Sequence, residues 1–145
     1  MPHDGRHVIT ILETKLRPPY ARARAVERPR LLERLQVGPE VRLVLVSAPP
    51  GFGKSTLIGQ WIDQADAAGT PTAWLSLDPS DDEPAVFWAY LVSAIARVAA
   101  DAAAAALTAV EGDTAAPDQV IAALLNGLAV ARTPLIVVLD DLHVI

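Results

Sequence analysis

Val41-Arg42-Leu43-Val44-Leu45-Val46-Ser47-Ala48-Pro49-Pro50-Gly51-Phe52-Gly53-Lys54-Ser55 is the stretch that decides the fold. Its first six residues are a compact apolar and β-branched run, which predicts a buried strand over 41–46. Glycines and prolines break that run at once. A helix follows, with Leu57, Ile58, Trp61, Ile62 and Ala65 spaced as a core-facing stripe. Strand, glycine-rich turn and helix in this order make a phosphate-binding loop. The glycines let backbone N–H groups close on phosphate oxygens, and the helix N-terminus adds its partial positive charge. In the motif, Lys54 reaches the β/γ-phosphates of a nucleotide and the Ser55 hydroxyl holds Mg²⁺. Pro50, Gly51, Phe52, Gly53, Lys54, Ser55 and Thr56 are therefore the expected nucleotide-binding residues. The first motif glycine is replaced by Ala48, a small residue that serves if no positive φ is needed there.

Upstream, Arg17 to Pro29 is rich in proline and arginine and predicts an extended segment. Pro29 opens a short helix carrying Leu31, Leu32 and Leu35. Arg28 and Arg30 are placed to approach the nucleotide from the N-terminal side, with Arg28 the candidate ligand.

Downstream, Gly69-Thr70-Pro71 ends the first long helix, and Thr72 to Leu77 predicts a second strand. The polar turn Asp78 to Pro84 offers Asp82 as the cap of the next helix, with Pro84 just inside it. Phe87, Leu91, Ile95 and Val98 line that helix. The alanine-rich stretch beyond it carries little pattern. Pro117 to Ala131 predicts a helix with Val120, Ile121, Leu124, Leu125 and Leu128 on one face. A third strand, Leu135 to Leu139, then runs into Asp140-Asp141. Strands alternating with helices imply an α/β fold with a parallel sheet covered on both faces. An acidic residue at the carboxyl end of such a strand lies where these sheets bind ligands. Asp140 is thus the candidate partner of Ser55 in holding Mg²⁺, and Asp141 the candidate for orienting an attacking water. Trp61, Trp74 and Trp88 each fall on an apolar face and are expected in the core.

The 145 residues carry no cysteine, which excludes a disulfide framework, a Cys-ligated zinc site and a thiol nucleophile. Net charge is −5, unevenly placed: residues 1–54 hold ten Lys/Arg and five Asp/Glu, residues 55–145 two and twelve. A basic head suggests either a nucleic-acid arm or a segment facing polyphosphate. No aromatic or recognition-helix pattern accompanies the arginines, which favours polyphosphate. The first residues lack the order of a signal peptide, and the apolar stretch 98–110 is short and broken by Asp101, so no membrane span is expected.

The chain resembles the N-terminal region of the large ATP-binding regulators of the LuxR family, the group that includes the maltose-regulon activator, within the STAND class of signalling NTPases. The likeness runs from about Thr14 to Ile145. It is carried by Lys15-Leu16-Arg17-Pro18, Val26 with Arg28 and Arg30-Leu31-Leu32, and Ser47 to Thr56. It continues through Gln60-Trp61, Ala73-Trp74-Leu75-Ser76-Leu77-Asp78, Phe87 to Leu91 and Val138 to His143. The resemblance implies a P-loop NTPase three-layer sandwich, truncated after its Walker B strand, with a leading segment over 1–40 and a partial NTPase domain over 41–145. It also implies ATP and Mg²⁺ as ligands, slow hydrolysis, self-association of the full-length protein, a cytoplasmic location, and DNA binding through a helix-turn-helix outside these residues. A later strand, also outside them, is expected between the P-loop strand and the Asp140 strand. Two rival readings are a P-loop small-molecule kinase, although no arginine-rich lid segment follows the second strand, and a non-functional remnant.

Overall fold

The computed structural model describes residues 9–19, 26–38, 40–112, 116–132 and 134–145. Residues 20–25 of the predicted extended segment lie outside them. The chain forms two compact units, one from Met1–Arg17 with Pro71–Ile145 and the other from Pro18–Thr70.

The helices are α1 (Pro29–Leu35), α2 (Lys54–Ala67), α3 (Pro84–Ala96), α4 (Ala100–Glu111) and α5 (Pro117–Ala131), and the strands are β1 (Thr72–Ser76) and β2 (Ile136–Asp140). In the first unit β1 and β2 pair in parallel, with Thr72 opposite Ile136 and Ser76 opposite Asp140. Two further bonds extend the ladder, Ile136 N–H to the Pro71 carbonyl and Leu77 N–H to the Asp140 carbonyl, each 3.0 Å. Ala73 and Leu75 point to a core completed by α3, α4 and α5, including Leu91, Val92, Ile95, Ala103 and Leu124. Trp74 lies on the other face and is also buried, donating its indole N–H to the Ser76 hydroxyl at 2.7 Å. A parallel strand buried on both faces explains why β1 reads as a continuous apolar run.

Two residues of this unit differ from the expectation. Asp82 does not cap α3. It is consumed by a 3-10 turn, Pro79–Asp82, and Glu83 takes the position before Pro84. The capping chemistry belongs to that turn: the Asp78 carboxylate accepts from Ser80 N–H and the Asp81 carboxylate from Asp78 N–H, both 2.8 Å. Leu125 is exposed rather than on the buried face of α5, where Val120 and Leu124 sit. The alanine-rich stretch, which carried little pattern, is α4. Ala102, Ala103 and Ala106 are buried, and a Cβ at Gly127 would collide with the Ala102 carbonyl, so α4 and α5 approach along a seam of small residues. Alanine carries almost no amphipathic signal, which is why the pattern was silent.

In the second unit α1 and α2 meet through Leu32, Leu35 and Leu57, with Val46 and Trp61 against them. Residues 41–46, expected as a buried strand, form none: Leu43 is 84% and Leu45 81% exposed. Their backbone bond among the described residues is a turn bond, Val41 N–H to the Gly38 carbonyl. An apolar run becomes a strand only when a neighbour satisfies its N–H and C=O groups. Of the three tryptophans, Trp74 is buried, while Trp61 and Trp88 are half-buried. No described helix is long and apolar enough to cross a membrane.

Candidate nucleotide-binding site

The loop between residue 46 and α2 adopts the geometry its glycines permit. Gly51 and Gly53 both take left-handed backbone conformations, with φ of +84° and +76°. Ala48 has no positive φ, so its replacement of a motif glycine is sterically allowed. Gly53 is the N-cap of α2 and has no side chain to bond the first turn, where Lys54, Ser55 and Thr56 lie. The leading N–H groups of a helix, left without a side-chain cap, favour an anionic ligand. A Cβ at Gly51 would meet nothing within 4 Å, so the loop backbone is open to close approach there.

Lys54 folds over the loop. Its ammonium donates to the Ala48 carbonyl at 2.7 Å and reaches the Pro49 carbonyl at 3.5 Å. Arg28 comes to the same loop: its guanidinium Nη1 donates to the Phe52 carbonyl at 3.0 Å. Arg28, Pro29, Arg30 and Leu31 lie along an open surface depression in this unit. Thus the second unit gathers Arg28, residues 50–53 and Lys54 around one loop.

The acidic pair belongs to the first unit. Asp140 closes β2, is buried, and accepts a bond from Asp141 N–H through Oδ1 at 3.1 Å. Asp141 is exposed and takes a left-handed conformation, φ +58°, which Asp tolerates better than most residues. That turn sends the two carboxylates in different directions, one into the sheet end and one to solvent. His143 Nδ1 stands 4.0 Å from Asp141 Oδ1, with both side chains largely exposed, a pairing worth little in water. The Ser55 hydroxyl in one unit and the buried Asp140 carboxylate in the other are each, taken singly, the kind of oxygen donor a hard cation such as Mg²⁺ takes.

The pattern did not reveal a buried charge cluster beside the end of β1. Lys15 Nζ donates to both Asp81 oxygens, at 2.6 and 2.5 Å, and to Asp78 Oδ2 at 3.0 Å. It also sits 4.4 Å from the centroid of the Tyr90 ring. Tyr90 in turn accepts from Leu12 N–H at 3.2 Å and donates to the Thr10 carbonyl at 3.3 Å. Glu13 pairs with Arg97 on the same segment. Burial alone would lower the Lys15 ammonium, but its bonds to Asp81 and Asp78 outweigh that and raise it above 10.5. Ser80 and then Lys15 hold the Asp78 carboxyl down to about 2. Lysine and aspartates more than sixty positions apart leave no spacing signal; only the unusual Lys15-Leu16-Arg17-Pro18 string pointed at this segment.

With this geometry in view, the comparison with known families is direct: residues 19–145 match the AAA ATPase domain. The chain belongs to the AAA ATPase domain family. That membership implies a P-loop fold and nucleotide binding, and it agrees with the resemblance read from the motifs. Among individual relatives, the chain is 36% identical over 137 residues to the HTH-type transcriptional regulator MalT of Cronobacter sakazakii, covering 93% of this chain and 15% of that protein. It has the same identity and coverage against MalT of Klebsiella pneumoniae. It is also 36% identical over 132 residues to the serine/threonine-protein kinase PknK of Mycobacterium tuberculosis, covering 90% of this chain and 12% of the kinase. The chain therefore spans less than a sixth of the length of these relatives.

Proposed function

We propose that this chain is the ATP-binding part of a nucleotide-dependent transcriptional switch of the LuxR-regulator type. In this reading residues 1–40 lead into a partial three-layer NTPase domain over 41–145. Backbone N–H groups of Gly51, Phe52 and Gly53 and the first turn of α2, through Thr56, cradle the phosphates of ATP, with Pro50, which has no N–H, shaping the loop. Lys54 moves its ammonium from the Ala48 carbonyl to the β/γ-phosphates, and Arg28 binds at the loop rim. Ser55 and Asp140 are the oxygen donors that would hold Mg²⁺, which would supply charge neutralisation on the phosphates. Asp141, exposed beside the buried Asp140, orients the water for slow hydrolysis. Self-association of the full-length protein, DNA binding outside this segment and a cytoplasmic location complete the proposal.

The observation that carries it is the loop itself: two left-handed glycines delivering the chain into an uncapped helix start that bears Lys54. Similarity to MalT favours a regulator as the parent protein. The match to PknK supports a second setting for the same ATP-binding unit, in a protein kinase. The test is Mg-ATP calorimetry on the full-length protein. Lys54→Ala removes a charge-assisted contact worth about 1.5–3 kcal/mol, a loss of roughly tenfold to hundredfold in affinity. Equal affinities would remove the assignment. Asp140→Asn should weaken Mg²⁺-dependent binding while leaving metal-free nucleotide binding nearly unchanged, and Asp141→Asn should mainly slow turnover.

A further inference from the structure

We infer that Lys15 is a positioning residue for the Asp140 carboxylate, acting through the turn that follows β1; this rests on the assignment of Asp140 to Mg²⁺. Asp81 is fully buried, and Lys15 supplies its countercharge. The same ammonium holds Asp78, so the turn Asp78–Asp82 is cross-tied from within by Ser80 and Asp81 and from without by Lys15. One residue before this turn, Leu77 N–H makes the last ladder bond, to the carbonyl of Asp140 itself. The backbone of Asp140 is thus held by a residue whose next neighbour is locked to Lys15.

The far side of Asp140 is a left-handed residue, Asp141, whose N–H bonds the Asp140 carboxylate. With that bond on one side and the Leu77 bond on the other, the aim of the carboxylate depends on both. Loosening the turn frees the Leu77 link, and the Asp140–Asp141 peptide can then rotate. Residues that orient a metal ligand without touching the metal behave in this way, and their loss typically weakens metal affinity by about 10–100-fold. Simple charge satisfaction would predict a change in stability alone.

The experiment uses the full-length protein and reads Mg²⁺ titrations of ATP hydrolysis, nucleotide binding in EDTA, and thermal unfolding. Lys15→Met strands the Asp81 charge, so Lys15→Met/Asp81→Asn is made beside it to remove the buried charge altogether. The expected result is a Mg²⁺ midpoint raised about tenfold in the folded variant, with nucleotide binding in EDTA within about twofold of wild type. Lys15→Arg should recover most of the shift. An unchanged Mg²⁺ midpoint in a folded variant overturns the inference. Loss of cooperative unfolding in both variants also overturns it, because Lys15 is then a folding element only. Asp140→Asn serves as the control: if it leaves the Mg²⁺ midpoint unchanged, the magnesium assignment has failed rather than the role of Lys15.

Discussion

The two units are built on different principles. Among the described residues, the unit with β1 and β2 packs a cluster of thirteen buried residues around a sheet and three helices. The unit with the glycine-rich loop has, among the described residues, a cluster of three, Leu32, Leu35 and Leu57. Yet the smaller core carries the clearer chemistry. A phosphate loop needs little packing, because its geometry comes from two glycines and the start of one helix. A buried carboxylate at a strand end needs a sheet, and a sheet needs long-range partners. Local chemistry tolerates a thin core; chemistry spread over distant segments requires a thick one.

Hydrogen exchange on the 145-residue chain is the sharpest way to break this contrast. Amides of Leu77 and Ile136, bonded in the ladder, should open only with energies approaching global stability, roughly 5–15 kcal/mol. Amides of residues 42–46 should open at close to zero. Similar protection in both segments would mean that 41–46 is paired after all. Next in size, Leu75→Ala, fully buried in the larger core, should cost about 2–5 kcal/mol by denaturation. Leu43→Ala, 84% exposed, should stay within about 0.5 kcal/mol.

Two helical glycines sharpen the comparison further. Gly127→Ala drives a methyl into the Ala102 carbonyl and should destabilise by about 1–3 kcal/mol. Gly59→Ala in α2 meets nothing within 4 Å and has ordinary helical backbone, so it should stabilise by about 0.5–1 kcal/mol. The same sign at both positions would remove the claim that α4 and α5 are tightly apposed at Gly127.

The smallest effect is the pH dependence of the Lys15 cluster. Asp78 is depressed from 3.8 to about 2, so its contribution is present above pH 3.8 and is lost as pH falls through about 2. Lys15 is raised above 10.5, so its contribution is present below that pH and is lost as pH climbs past the raised value. Stability measured between pH 5 and 9 should be flat in the part due to this cluster. Asp78→Asn should flatten the acid limb.

Residues 48–56 by themselves determined the geometry of the glycine-rich loop, because glycine freedom and a helix start are properties of adjacent residues. The same holds for α5, whose bounds Pro117 and Ala131 were legible from a proline start and a clean apolar period. That β1 and β2 run parallel followed from their alternation with helices, but that they are direct neighbours did not. Tertiary structure alone decided the rest. Whether 41–46 is a strand depends on a hydrogen-bonding neighbour, which no property of those six residues supplies. Whether Ala100–Glu111 packs depends on Gly127 across the seam. Lys15 finds Asp81 only after the chain has brought residues sixty-six positions apart within hydrogen-bonding reach. Local conformational preferences are written in neighbouring residues; pairing, close approach and charge satisfaction are settled by whichever distant segment arrives.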